Sequence, residues 1–114
     1  SNAGIDYAIG LINLADLYNT MGNYFNAEPL YKQALNALET AGETTTLTYA
    51  IALNNLAEIF SSSGSHTAAV NLYRKSIKVK ESLEIAEPAS LASGYINLAT
   101  ALLKQGKIAE AEPI

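Results

Sequence analysis

The amino-acid sequence predicts an all-α fold of tandem antiparallel helix pairs, and three observations carry that prediction. A block of sequence recurs: Asn13–Tyr24 (NLADLYNTMGNY), Asn55–His66 (NLAEIFSSSGSH) and Asn97–Ile108 (NLATALLKQGKI) stand 42 residues apart at both steps. A fixed interval of this size marks a repeat array in which each unit buries its apolar face against its neighbours. Apolar residues in each block fall at helical spacing, and a glycine follows each run at the same place.

The first helix of each unit is read from Leu11, Leu14, Ala15 and Tyr18, then Leu53, Leu56, Ala57 and Phe60, then Tyr95, Leu98, Ala99 and Leu102. These positions share one face of a 3.6-residue helix. Gly22, Gly64 and Gly106 are expected to end those helices in the left-handed conformation that side chains resist. Asn23 and Ser65 suit the N-cap of the following helix, whereas Lys107 does not. The second helix carries Ala27, Tyr31, Ala34 and Leu38, matched by Ala69, Tyr73, Ser76 and Ile77. Ala15 and Ala27 allow close approach within a hairpin, with Tyr31 filling the space beside them. Helices are expected near 5–21, 24–41, 46–62, 66–84, 88–104 and 107–114. Pro88 suits a first helical turn, and Pro29 should perturb the early turns of the second helix.

The chain therefore divides into an expression-tag remnant at 1–3, a first repeat at 4–45, a second at 46–87 and a third at 88–114. Segments Gly42–Thr45 and Ile85–Glu87 join the hairpins. The closing string AEPI (Ala111–Ile114) repeats AEPL (Ala27–Leu30), so the third unit is expected to be cut short in its second helix, giving about 2.5 repeats of a longer array.

Composition excludes several functions. Apolar residues make up 49% and argue against disorder. Net charge is -4, which opposes nucleic-acid binding, since that needs a basic face for phosphate. Residues 1–57 hold five acids against one base (Lys32), while 58–114 hold six of each. There is no cysteine, hence no disulfide or thiolate metal site. No apolar run approaches the roughly 18 residues of a membrane helix. Together these fit a cytoplasmic protein without cofactor or metal. His66 is the one histidine, beside Ser61, Ser62, Ser63 and Ser65. Those serines sit where a helix ends, lack an orienting third group and suit capping better than catalysis. The chain is not expected to be an enzyme. Arg74, Lys75, Lys78 and Lys80 on a second helix read as a solvated surface.

At Leu11, Leu14-Ala15, Tyr18, Gly22, Tyr24, Ala27, Tyr31 and Ala34 the pattern resembles the tetratricopeptide signature. The 42-residue unit and the strings LNNLAEIF (Leu53–Phe60) and AEPLYKQAL (Ala27–Leu35) resemble the kinesin-light-chain-like subclass. The resemblance implies helix pairs stacked into a right-handed superhelical solenoid, with first helices lining a concave groove. It implies an interaction scaffold that takes a protein or an extended peptide.

A helical wheel at 100° per residue then picks out the groove. With Asn13 at zero, Leu11, Leu14, Ala15 and Tyr18 lie between about 100° and 200°. Asn13 faces away from them with Ile9, Ile12, Asp16 and Thr20. The equivalents are Ile51, Asn54, Asn55, Glu58 and Ser62, then Ser93, Ile96, Asn97, Thr100 and Lys104. The amides of Asn13, Asn55 and Asn97 each offer a donor and an acceptor, suited to the backbone of an extended peptide. Stacked helices about 8–10 Å apart match about three extended residues. The alternative is that these asparagines bond between neighbouring helices and set repeat stacking, and the groove isoleucines likewise have a packing alternative. Asp16 and Glu58, with Lys104 the single base, oppose a carboxylate clamp and favour a neutral or basic peptide. A structural or self-association module acting through exposed repeat ends, or a regulatory domain of a larger protein, is the competing reading.

Overall fold

The computed structural model describes residues 2–83 and 88–111, with side chains described for 3–83 and 94–106. The expected joining segment Ile85–Glu87, Ser93 of the groove stripe and the whole AEPI string lie outside the described side chains. The described residues form α1 (Asn2–Thr20), α2 (Tyr24–Thr40), α3 (Leu47–Ser62), α4 (His66–Ser82) and α5 (Pro88–Ala111), with no strand among them. Helix α1 packs on α2, α3 on α4 and α4 on α5, and α2 meets α3 to join the two hairpins.

Glycine ends three of the helices. Gly22, Gly42 and Gly64 have φ of 75°, 76° and 87°. After α1, the Asn23 N–H donates to the Tyr18 carbonyl at 2.8 Å and the Gly22 N–H to Asn19 at 3.0 Å. This pair of reversed bonds satisfies carbonyls the helix leaves open, and it recurs at Gly42 and Gly64. Asn23 caps α2 by accepting from the Asn26 N–H at 3.3 Å, and Thr46 caps α3 by accepting from Tyr49 at 3.2 Å. Ser65 stands at the N-cap of α4 without a side-chain capping bond. Pro88 is the first residue of α5, as its fixed φ favours. Pro29 lies inside α2 without ending it. The carbonyl it leaves unbonded is that of Phe25, whose residue is exposed to water.

Gly106 departs from the expectation. Helix α5 continues through it to Ala111, and no turn divides the segment. The next residue, Lys107, offers no oxygen to cap a new helix. Continuing adds one backbone bond per residue, whereas a turn and a new helix must repeat the costly nucleation. The contrast makes a prediction. Gly64→Ala, at positive φ, costs about 1–2 kcal/mol, and Gly106→Ala, inside a helix, stabilises by up to about 1 kcal/mol. Urea unfolding of the two variants measures both, and a loss at Gly106 would show a turn there.

The hairpin core follows the small residues. Ala15, Ala27 and Tyr31 are all 0% exposed, so the alanines do let α1 and α2 close around the ring. Ser76, at the position of Ala34, is buried with its hydroxyl donating to the Ala50 carbonyl at 2.7 Å. Gly94 lets α5 approach α4, for a Cβ there would meet Ile77 Cγ1 at 3.2 Å. Leu14, expected in the core, is half-exposed, although its repeat equivalent Leu56 is buried. The reason is that α3 lies against α2, whereas no described helix covers the same face of α1. Tyr95, Ala99 and Leu102 are exposed for a similar reason: no described second helix closes over α5 as α2 does over α1.

Candidate functional site

The stripe picked out by the helical wheel contains two cavities. The first, about 270 Å³, lies between α1 and α3 and is lined by Ile9, Ile12, Asn13, Asp16, Thr48 and Ile51. Ile9 and Ile51 are partly exposed and form its apolar walls. Ile12, expected to face the groove, belongs instead to the core at 6% exposure and contributes only to the cavity floor. It lies one turn from both Ala8 and Ala15, which face α2, and its β-branched side chain fills that seam. Asn13 is exposed, with no side-chain hydrogen bond among the described residues.

Asp16 sits at the junction of three helices. It accepts from the Tyr31 hydroxyl of α2 and from Asn55 Nδ2 of α3, the latter at 3.0 Å. Burial, then the Asp16 carboxylate, hold the Tyr31 hydroxyl far above the ordinary tyrosine range, so it remains a neutral donor. One Asn55 N–H is thus engaged across the boundary between the two hairpins. Tyr31 and Tyr73 were legible only as space-fillers. The signal for more was present, since both repeats use tyrosine where phenylalanine would fill the same volume.

The second cavity, about 300 Å³, lies where α3, α4 and α5 meet and is lined by Glu58, Ser62, Tyr73, Asn97, Thr100 and Lys104 among others. Glu58 accepts from Asn54 Nδ2 at 3.3 Å. Burial pushes its carboxyl pKa up; the Asn54 bond opposes the shift and the nearby Asp16 charge adds to it. The Thr100 hydroxyl donates to the Ile96 carbonyl one turn back at 2.9 Å. Ile96 and Lys104 are exposed.

A raised acid pKa in the folded state has a definite sign. The folded chain binds the Glu58 proton more tightly than the unfolded chain, so this group favours folding when protonated and opposes it as pH rises through the folded-state pKa. Glu58→Gln is therefore expected to melt higher than the parent chain at pH 7. The difference should vanish below roughly pH 4, under the ordinary carboxylate value. An unchanged difference across that range would remove the effect.

Elsewhere, the basic cluster on α4 is only partly a solvated surface. Arg74, Lys75 and Lys78 are exposed, but Lys80 is 6% exposed and burial lowers its pKa. Its stem packs inward while the head pays for desolvation. Lys75 lies 5.5 Å over the Tyr49 ring and 3.9 Å from Glu39, beside a cavity of about 590 Å³. His66 opens α4 with its Nδ1 buried and unbonded among the described residues, and no cluster of metal-ligating side chains occurs among those residues. No described helix is long and apolar enough to cross a membrane.

Stacked antiparallel helix pairs, closed by small residues and a buried tyrosine, define a helical-repeat array. The chain belongs to the tetratricopeptide repeat family, whose model matches residues 6–82. Repeats of this family generally mediate protein–protein interaction and are typically non-catalytic. No curated protein matches the sequence. Among solved structures the chain is similar to "BtubC (BKLC) from P. vanneervenii", a kinesin light chain-like repeat protein, with a TM-score of 0.80 and 24% identity. The match covers 91% of this chain and 42% of that one, so the chain spans less than half of that protein's length.

Proposed function

We propose that the first helices of this array bind an extended polypeptide, with Asn13 and Asn97 as the ligand-facing amides and Asn55 as a stacking residue. The carrying observation is the division of labour among three equivalent positions. Asn55 bonds Asp16 across the repeat boundary, while Asn13 and Asn97 line cavities and make no side-chain hydrogen bond among the described residues. Ile9 and Ile51 provide apolar walls beside Asn13, and Asp16 and Glu58 make a neutral or basic ligand more favourable than an acidic one.

The test is fluorescence anisotropy with randomised peptide mixtures. Asn13→Ala and Asn97→Ala should each weaken binding by about 3–10-fold, roughly one hydrogen bond apiece, at unchanged melting temperature. Asn55→Ala should lower the melting temperature. Binding indifferent to all three replacements would sink the reading.

A second reading rests on a different surface. Tyr7, Leu14 and Leu17 of α1 are 59%, 43% and 57% exposed, while their equivalents Tyr49, Leu56 and Ile59 in α3 are 1%, 3% and 1% exposed. That face of α1 has the composition of a stacking face and suits either another repeat or self-association. Light scattering that shows only monomer at all concentrations would exclude the self-association form.

A further inference from the structure

We infer that the cavity where α3, α4 and α5 meet is a receptor for an arginine side chain of the bound polypeptide. This deepens the groove reading proposed above and rests on it. The argument begins from repeat equivalence. Tyr31, Asp16 and Asn55 correspond, 42 residues on, to Tyr73, Glu58 and Asn97. At the first boundary the three close on one another: the tyrosine hydroxyl and the asparagine amide both donate to the carboxylate. At the second boundary neither bond forms among the described residues, and the same three side chains line an open space of about 300 Å³.

The Tyr73 side chain borders this open space. It is only 4% exposed, it lines the cavity, and its hydroxyl has no hydrogen-bond partner among the described residues. The hydroxyl is open to the solvent of the cavity, which a ligand group can displace. Burial, with the Glu58 charge adding to it, pushes the Tyr73 hydroxyl up to about 12, so it stays neutral. Glu58 is held by the neutral Asn54 amide alone and forms no ion pair among the described residues. A half-buried carboxylate without a cation favours one that arrives with a ligand.

The acceptors select the cation. Glu58, Tyr73, Asn97 and Ser62 line one space and between them carry a carboxylate, two hydroxyls and an amide. A guanidinium carries five N–H donors in a rigid plane, pairs with a carboxylate through two bonds and sheds its water more readily than an ammonium. A single carboxylate among neutral oxygens is a poor seat for a divalent metal. Lys104, exposed, lines the same cavity and would repel an incoming guanidinium.

The experiment compares two nine-residue peptide mixtures, randomised except for a central arginine or its neutral isostere citrulline, by anisotropy with this chain. The arginine mixture should bind about 10-fold tighter, a difference of about 1.4 kcal/mol. Glu58→Gln should erase that ratio without lowering the melting temperature, and Lys104→Ala should increase it. A parallel NMR titration with N-acetyl-arginine amide should move the Asn97 side-chain amide saturably, and the citrulline amide should not. Equal binding of both mixtures, with Asn13→Ala weakening both, overturns the arginine receptor and leaves the groove reading standing. If neither mixture binds, the groove reading falls, and the Asn97 response to arginine amide alone decides the cavity. A ratio that survives Glu58→Gln overturns the inference.

Discussion

Truncating Tyr31 to alanine is expected to lower stability by about 3–5 kcal/mol, the cost of emptying a fully buried aromatic site. The ring is 0% exposed and sits among Ala15, Ala27 and Ala34, each also 0% exposed. Alanines have nothing to extend into the space, so the cavity cannot collapse cheaply. A domain of this size holds on the order of 5–15 kcal/mol in total, so the first hairpin should be mostly unfolded near its former melting temperature. Tyr31→Phe separates the hydroxyl from the ring. It keeps the packing, removes the donor to Asp16 and should cost about 1.5–3 kcal/mol, the range for hydrogen bonds to charged groups. Urea titration followed by helical circular dichroism measures both. A Tyr31→Ala midpoint equal to that of the parent chain would show that the ring does not hold the hairpin.

The sequence made the hairpins legible because their determinants are local. Helical spacing and a glycine that tolerates positive φ act over one or two turns, so Gly22 and Gly64 could be placed without knowledge of anything distant. Gly106 shows the limit of that reasoning. The glycine is the same, but its effect depends on whether the residues beyond it can cap and cover a new helix. The site was less legible because it depends on how one hairpin sits on the next. A wheel places Asn13, Asn55 and Asn97 on one stripe, yet only the stacking of α1 against α3 shows Asn55 within 3.0 Å of Asp16. The burial of Ile12 at 6% is of the same kind: at 100° per residue it borders both the stripe and the core, and only the packed helices decide between them.

The link between Asp16 and Asn55 has the second large expected effect. Asp16→Ala removes the acceptor of two donors at once, the Tyr31 hydroxyl and the Asn55 amide. The Tyr31 hydroxyl then loses its charged acceptor and keeps only the neutral Asn55 and Asn19 side chains nearby, and the loss should be roughly 2–3 kcal/mol. Asn55→Ala alone should cost about 1 kcal/mol, since only one neutral donor is lost from a carboxylate that keeps its tyrosine. In the background of Asp16→Ala the asparagine has lost its carboxylate acceptor, so its removal should then cost less. The double-mutant cycle should therefore report a coupling of about 0.5–1 kcal/mol. Asn13→Ala, exposed and unbonded, should stay within about 0.5 kcal/mol of the parent chain. These stabilities separate the two uses of the asparagine column without any ligand. A coupled Asn55 beside a silent Asn13 means that one amide sets the repeat stacking and the other is free for a partner. A coupling near zero would free Asn55 as well and return all three amides to the groove.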